Sequence, residues 1–241
     1  MNVLITAGST CVPIDNVRRI GNIFSGKTGI KIAQYFLEKD SHITLLNSKS
    51  LIEYSDDNIK ELIWNDNLVP IYYKEFNDLK YFLQKELTTP IFLENGTEFH
   101  YDVIIHSAAV SDYGVDGAYK MCCDDLGNPM MWSIHEAKIK SGRNELYLKL
   151  VPLPKIIDLI RTEWGFKGIL VKFKLESQKS DKQLIDIAIK SMKQSDADFI
   201  VANCLEWYSQ RAFIISKDES VVPVMRDNLN STLYDLISQK L

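Results

Sequence analysis

Two glycine turns near the amino terminus carry the residue types that bind phosphate. Residues 7–10 read AGST and residues 25–29 read SGKTG. Glycine lets a backbone approach an anion closely, and the second turn opens a predicted helix whose dipole favours negative charge. Taken alone, both turns are equally compatible with ordinary strand-to-helix connections. Together they suggest a triphosphate held between the two turns, with Gly8, Ser9, Ser25, Gly26 and Lys27 as candidate contacts.

Two more familiar nucleotide patterns lack their structural context. Residues 21–28, GNIFSGKT, satisfy the GxxxxGK[ST] phosphate-loop pattern, but the IDNVRRI before them is polar and doubly cationic, unlike a buried strand. The GxGxxG pattern is absent, and YxxxK occurs only on the amphipathic segments 35–39 and 81–85. A nicotinamide-dependent oxidoreductase of short-chain type and a noncatalytic nucleotide-binding protein stay open as alternatives.

The elements that must position these turns alternate between strands and helices. Apolar runs and period-two alternation predict strands; they lie at 2–6, 42–46, 69–73, 101–107, 145–151, 168–173 and 198–202. Helical periodicity and capping residues predict helices at 28–39, 78–87, 154–161, 181–194 and 230–239, with a hairpin at 211–215 and 220–224. Residues 114–132 show no periodicity and are predicted to form a long loop.

This alternation predicts an α/β, Rossmann-like fold over residues 1–241 as a single domain. The sheet is mostly parallel, helices cover both faces, and the late hairpin is an antiparallel addition. Ligands bind such sheets beyond the carboxyl ends of the strands. Functional residues are therefore sought after 2–6, 101–107, 168–173 and 198–202. His106, on an apolar strand, is predicted to be a core residue.

Composition excludes several classes of protein. The chain has 241 residues, 46% of them hydrophobic, and a formal net charge of −4. Such a chain buries a large core without metal or disulfide support and lacks the positive field of a nonspecific nucleic-acid binder. No apolar run approaches a membrane span, and no signal peptide opens the chain. Four cysteines without CxxC spacing indicate thiols in a reducing cytoplasm.

Five segments in order resemble one enzyme family, the phosphopantothenoylcysteine synthetases, also called phosphopantothenate–cysteine ligases. They are ITAGST with PIDNVRRIGNIFSGKTG, then HSAAVSDY, EAKIKSGRNELYLKLVPLPKII, ILVKFKLES and DADFIVAN. These are similar to the family patterns ITxGGT with PxDxVRxIxNxSSGxxG, AAVxDY, KIKxxxxELxLxLxxxPxI, GFxxE and ADxIxAN. The resemblance spans about residues 3–203. The chain starts at this domain, as in the stand-alone bacterial type.

The resemblance implies a nucleotide-activated ligation in coenzyme A biosynthesis. The carboxylate of 4'-phosphopantothenate attacks the α-phosphate of CTP or ATP, which enters with Mg²⁺, and pyrophosphate leaves. The amine of cysteine then attacks the acyl carbon of the acyl-nucleotide, forming the amide and releasing the monophosphate. The resemblance also implies a cytoplasmic homodimer whose subunits share the active site, with Met130, Met131 and Trp132 as a candidate contact.

Site residues follow from matching positions in the family patterns. The resemblance implies that Asn22 holds the acyl-nucleotide, that Arg18 binds a carboxylate or phosphate, and that Lys138, on a mobile loop, offsets charge at the α-phosphate. Ala109 joins Asn22 and Arg18 as a substrate contact. The implied nucleotide contacts beyond the two glycine turns are Ser107, Ala108, Asp112, Pro154, Ile156, Phe173 and Lys190.

The chain departs from the family patterns at several of these positions. Lys172 stands where the family has the glycine before Phe173, which puts a side chain where backbone usually approaches a ligand. Cys204 replaces the usual Asp after AN, and Phe24 replaces the first Ser of SSG. Neither Asn22 nor Lys138 is lost, so activity is expected. The sequence leaves the choice between CTP and ATP open.

Overall fold

A computed structural model of the chain describes residues 1–92 and 96–241. Within them the strands are β1 (Asn2–Ala7), β2 (Cys11–Pro13), β3 (Arg19–Gly21), β4 (His42–Asn47), β5 (Leu68–Tyr72), β6 (Ile91–Phe92), β7 (Glu98–Phe99), β8 (Val103–His106), β9 (Tyr113–Cys123), β10 (Pro129–Ile134), β11 (Tyr147–Pro152), β12 (Ile169–Glu176), β13 (Phe199–Cys204), β14 (Arg211–Ser216) and β15 (Val221–Met225). The helices are α1 (Lys27–Leu37), α2 (Asp57–Glu61), α3 (Phe76–Thr88), α4 (Ile156–Thr162), α5 (Asp181–Gln194) and α6 (Leu229–Ser238).

The central sheet has eight strands in the order β15-β14-β13-β12-β8-β1-β4-β5. The six strands from β13 to β5 pair in parallel, and β14 and β15 add an antiparallel hairpin beyond β13. The interior strands are buried on both faces, which explains their continuous apolar runs. The predicted Rossmann-like sheet is therefore confirmed, and so is the late hairpin.

Helices cover both faces of this sheet. One apolar core packs α1 and α6 against the sheet, through residues such as Phe36 and Leu233. The other packs α3, α4 and α5, through residues such as Leu79, Ile160 and Leu184. Alternate residues of each strand enter opposite cores: Val3 and Ile5 face α1, whereas Leu4 faces α3 to α5.

Local sequence signals explain where several helices start. Ser180 caps α5 by accepting the N–H of Gln183, whose side chain accepts the N–H of Ser180 in return. Gly26 precedes α1 with a φ of 85° and no side-chain cap. The first N–H groups of α1 therefore receive no side-chain acceptor from the residue that precedes the helix.

The prediction of a long loop at 114–132 is wrong. β9 and β10 pair antiparallel there, and β9 also pairs with β11, which makes a three-stranded sheet beside the central one. Asp124 closes the β9–β10 turn by accepting the N–H groups of Leu126 and Asn128. Most β10 residues are exposed, so neither face imposes the apolar alternation that sequence reasoning looks for.

A short hairpin of β2 and β3 was also missed by sequence reasoning, since three-residue strands carry too few positions to show a period. β3 is exposed and antiparallel, so the segment before Gly21 is not the buried parallel strand that a phosphate loop requires. The phosphate-loop alternative is therefore rejected. Among the described helices, none has the length and hydropathy to cross a membrane.

Candidate functional site

Three glycines bring the amino-terminal turns and the end of β8 into direct contact. A Cβ atom on Gly26 would lie 2.5 Å from the amide nitrogen of Gly8, and one on Gly29 would lie 2.6 Å from Ser107 Oγ. Gly8 and Gly26 also have φ values of 91° and 85°, which favour glycine. We call Gly8, Ser9, Ser25, Gly26 and Ser107 the glycine rim. The structure thus joins predicted residues from three separate segments.

The two glycine turns differ in which backbone N–H groups they leave for a phosphate. The Ser9 N–H donates to Ser48 Oγ at 3.2 Å and the Thr10 N–H donates to the Ala109 carbonyl at 3.2 Å. These two N–H groups are therefore already paired within the protein. The uncapped start of α1, where Lys27 is exposed, keeps donors and positive dipole charge for an anion.

Arg226 is a cation at this helix end that sequence reasoning missed. It follows β15, and its guanidinium donates to Thr28 Oγ1 in the first turn of α1. Burial lowers the pKa of Arg226, and among the described residues no carboxylate forms an ion pair with it. A guanidinium placed beside a positive helix end is stabilised by an anion between them. Thr28 and Arg226 are 198 residues apart, so no local pattern could reveal the contact.

Asn22 lies beside the rim and hydrogen-bonds to the backbone of the segment after β8. Its amide Nδ2 donates to the Ala109 carbonyl at 2.9 Å. Ala109 in turn donates its N–H to the Gly8 carbonyl at 2.8 Å. The Asn22 side chain is exposed, so its remaining polar groups are accessible to a ligand. The structure therefore brings together two of the predicted substrate contacts, Asn22 and Ala109, with the glycine rim.

Arg18 contacts the loop that carries Lys138 in a different place, at the tip of the β2–β3 hairpin. Arg18 donates through its guanidinium to the Ile139 carbonyl, and Asp15 Oδ2 accepts the Ile139 N–H at 3.0 Å. The N–H groups of Val17, Ile139 and Arg18 hold the pKa of Asp15 below its usual range. These bonds tie residues 15–18 to the loop that carries exposed Lys138.

Strand β3 lies between this tip and Asn22 along the chain. Arg18 and Asn22 are four residues apart and flank β3 on either side. No hydrogen bond in the described residues joins Arg18 or Lys138 to Asn22. The described contacts thus hold Asn22 against the glycine rim and Arg18 against the loop that carries Lys138.

Five of the implied nucleotide contacts line one cavity between α4, α5 and the sheet, here called the α4–α5 cavity. Its volume is about 160 Å³. The predicted residues on its walls are Ala108, Asp112, Pro154, Ile156 and Phe173. The Phe173 ring packs toward the opposite core, so what this residue offers the cavity is its backbone. The segment 107–112 thus contacts Asn22 through Ala109 and the cavity through Ala108.

A buried polar row runs across the sheet beside the cavity, and His106 and Lys172 of this row line it. Thr6, His106 and Lys172 are register partners on adjacent strands and therefore share one face of the sheet. Thr6 Oγ1 and His106 Nδ1 are 2.9 Å apart. Burial, with a smaller contribution from the Lys172 charge, lowers the pKa of His106 to about 4. His106 is a neutral, hydrogen-bonded core histidine, as predicted.

Lys172 fills space near the floor of the cavity. Its Nζ donates to the Ser191 carbonyl at 3.0 Å and to Ser195 Oγ at 2.8 Å, and the residue is 7% exposed. Burial lowers the pKa of this amine to about 8. On α5 the cavity is lined by Ser191 and Gln194, whereas the predicted Lys190 is exposed and does not line it.

Metal binding by protein side chains alone has no support in the part of the chain that the structure describes. No group of three His, Cys, Asp or Glu residues there could hold an ion. Asp112, exposed at the cavity mouth, offers one carboxylate. That donor set fits Mg²⁺ arriving with a nucleotide, because Mg²⁺ keeps phosphate and water ligands and needs only one or two carboxylates.

Most of the chain matches a known protein family. The family described as the DNA/pantothenate metabolism flavoprotein C-terminal domain matches residues 1–62 and 130–240, which is more than half of the chain. The chain belongs to this family. Its fold is also similar to a solved structure, the DNA/pantothenate metabolism flavoprotein from Streptococcus pneumoniae, with a TM-score of 0.75 and 26% identity over 99% of this chain and 98% of that one.

Curated relatives carry names from coenzyme A biosynthesis. The coenzyme A biosynthesis bifunctional protein CoaBC of Thermococcus kodakarensis is 31% identical over 225 residues, which cover 93% of this chain and 45% of that protein. Phosphopantothenate–cysteine ligase 1 of Oryza sativa is 25% identical over 257 residues, covering 98% of this chain and 79% of the ligase. The chain thus spans about half the length of the archaeal relative.

Proposed function

We propose that the chain is a phosphopantothenate–cysteine ligase that acts through an acyl-nucleotide intermediate and works as one unit over residues 1–241. The observation that carries the proposal is the contact of Asn22 and Ala109 with the glycine rim, in a chain of this family. The names of the relatives support the choice of substrates, 4'-phosphopantothenate and cysteine.

In this proposal the glycine rim and the start of α1 hold the triphosphate of CTP or ATP, which enters with Mg²⁺. Arg226 adds a cation at the same helix end. The carboxylate of 4'-phosphopantothenate attacks the α-phosphorus, and the bond to pyrophosphate breaks. Donors fixed before the reaction stabilise the charge that develops there without reorganising. The cysteine amine then attacks the acyl carbon, and the nucleoside monophosphate leaves.

Asn22 is assigned to hold the acyl-nucleotide. Its side chain is neutral, carries both a donor and an acceptor, and is oriented by the bond to Ala109. Such an amide can bind the acyl oxygen or the incoming amine, but it cannot take up a proton. Its role in the proposal is therefore positional, and the second half-reaction depends on it more than the first.

Lys138 and Arg18 enter the proposal through a homodimer. Their segments are bonded to each other at the hairpin tip, whereas Asn22 is bonded to the segment after β8, and we assign a second copy to complete the site. The exposed side chains of Met130, Met131 and Trp132 on β10 support such an interface, since consecutive large apolar side chains on a protein surface mark contact sites. The four cysteines are unpaired, which supports a cytoplasmic setting.

The reaction itself tests the proposal. The chain is incubated with Mg²⁺, CTP or ATP, 4'-phosphopantothenate and cysteine, and mass spectrometry follows the products. The expected products are the amide, pyrophosphate and the nucleoside monophosphate. Release of a nucleoside diphosphate would contradict attack at the α-phosphorus. Absence of turnover with both nucleotides would favour the noncatalytic alternative.

An Asn22→Asp variant tests the assigned role. The carboxylate keeps the size of the side chain but loses the donor to Ala109 and adds a charge beside the rim. Amide formation should fall much more than pyrophosphate release. Asn58→Asp, an exposed asparagine on α2, is the matched control and should leave both rates unchanged. Equal loss of both half-reactions in Asn22→Asp would reduce Asn22 to a folding role.

A further inference from the structure

The α4–α5 cavity contains a carboxylate oxygen that the protein leaves unpaired. Asp158, on α4, accepts a hydrogen bond from Gln194 Nε2 through Oδ2 at 3.0 Å. Its other oxygen, Oδ1, is buried and has no hydrogen-bond partner. Burying such an acceptor without a donor is unfavourable, and more so when the group is charged. Asp158 lines the cavity, so a ligand there could supply the missing donor.

Lys172 presents the complementary group on the same cavity. An ammonium has three donors, and Lys172 uses two of them, on Ser191 and Ser195. Asp158 is close enough to influence the Lys172 charge, yet no ion pair joins them within the described residues. Two residues that line the cavity therefore carry an unused Lys172 N–H donor and an unpaired Asp158 Oδ1 acceptor, which are not bonded to each other.

The dimensions of the cavity select a flat, small group. Its volume of about 160 Å³ is roughly half the lower bound for sites that hold a drug-sized ligand. Val110, Ile156 and Ile157 supply apolar walls. One ring system fits such a space, while the rest of a nucleotide would extend toward the glycine rim across the segment 107–112.

We propose that Asp158 and Lys172 determine which nucleotide base the protein accepts. Asp158 Oδ1 accepts a hydrogen bond from an exocyclic amino group, and Lys172 Nζ donates to the ring nitrogen beside it. This 4-aminopyrimidine edge is common to cytosine and adenine. The inference rests on the proposed function, which supplies the nucleotide. It also gives a role to the buried Lys172 amine.

Uracil and guanine present the opposite order of groups. Each carries a carbonyl where cytosine or adenine carries the amino group, and an N–H where they carry the ring nitrogen. In the same orientation, that carbonyl would face the Asp158 carboxylate and the N–H would face the Lys172 ammonium. Both contacts are repulsive, so the pair selects against these bases as well as for the others.

The test measures nucleotide affinity directly, by calorimetry with the Mg²⁺ complexes of CTP, ATP, UTP and GTP and the whole chain. In the unaltered protein, CTP or ATP should bind at least about tenfold more tightly than UTP and GTP. In Asp158→Asn, the amide keeps an acceptor for Gln194 and presents N–H groups to the cavity. The ratio of CTP to UTP affinity should then fall at least about tenfold.

Two further arms keep the test independent of folding defects. Asp186→Asn removes a carboxylate on the exposed surface of α5 and should leave the ratio unchanged. The 2-pyrimidinone analogue of CTP, which lacks only the amino group, should bind the unaltered protein at least about tenfold more weakly than CTP.

The outcomes separate this inference from the proposed function. Equal affinity for all four bases, or an unchanged ratio in Asp158→Asn, overturns the inference, and amide formation in the same preparation leaves the ligase assignment standing. If the bases bind in the expected ratio but no amide forms, the ligase assignment fails alone. If no nucleotide binds and no product forms, both fail.

Discussion

Replacing Lys172 by methionine should stabilise the protein at pH 7 and destabilise it relative to the unaltered chain at pH 10. The charged groups around this amine are Asp158 on α4, Lys155 directly before α4 and Lys174 on its own strand, and the neutral His106 lies on β8. Burial dominates, so the pKa of Lys172 falls from 10.5 to about 8 despite the nearby Asp158 carboxylate.

The size of the effect follows from that pKa. A fall from 10.5 to about 8 means that the folded state disfavours the ammonium by about 3 kcal/mol, since each pKa step of one corresponds to about 1.4 kcal/mol. Methionine keeps an unbranched stem but loses two hydrogen bonds, each contributing about 1 kcal/mol. The free energy of unfolding at pH 7 should therefore rise by about 1 kcal/mol in Lys172→Met.

The sign reverses with pH because folding releases the proton. Between pH 8 and pH 10.5 the folded protein has lost the Lys172 proton while the unfolded chain still holds it. The unfolded state then binds more protons, so stability of the unaltered protein rises with pH through this window. By pH 10 it should gain about 2–3 kcal/mol relative to Lys172→Met, which has no such group.

Urea unfolding at pH 7, 8.5 and 10 measures the free energy of unfolding of the unaltered protein and of Lys172→Met as a function of pH. Lys182→Met, an exposed lysine on α5, is the matched control and should run parallel to the unaltered protein. If the stability curves of Lys172→Met and the unaltered protein cross between pH 7 and pH 10, the result supports a buried ammonium in the cavity. If the Lys172→Met curve also runs parallel, or if Lys172→Met is the less stable protein at pH 7, the reasoning about burial is refuted.

Two further predictions concern the glycine rim and the assembly. Gly26→Ala should destabilise the protein and weaken nucleotide binding, because its Cβ would lie 2.5 Å from the Gly8 nitrogen. Gly127→Ala, which has a similar φ but open space around it, isolates the backbone strain, and equal losses of stability in thermal melts would contradict the steric argument. Sedimentation should give twice the 27.6 kDa chain mass, and Trp132→Glu should shift it toward the monomer. A monomeric unaltered protein at micromolar concentration would remove the shared site.

Much of the fold was readable from local signals. Buried parallel strands such as β1 and β13 show as apolar runs, and Ser180 with Gln183 marks the start of α5. The glycine turns were also readable, because positive φ combined with a close backbone approach favours glycine, as at Gly8 and Gly26. The order of the family segments then predicted Asn22 and Ala109 as neighbours in function, and they are neighbours in space.

The sequence alone determined the alternation of strands and helices and the glycine turns, since these depend on residues close together in the chain. Only the tertiary structure decided which side chains share a cavity. Lys172 and His106 meet because β12 and β8 are adjacent in register, and Asp158 and Gln194 meet because α4 and α5 cover the same face. Likewise, β9 and β10 form because their backbones pair with each other, which leaves no apolar period in the sequence. Strand order and register are properties of the whole sheet, and no local pattern specifies them.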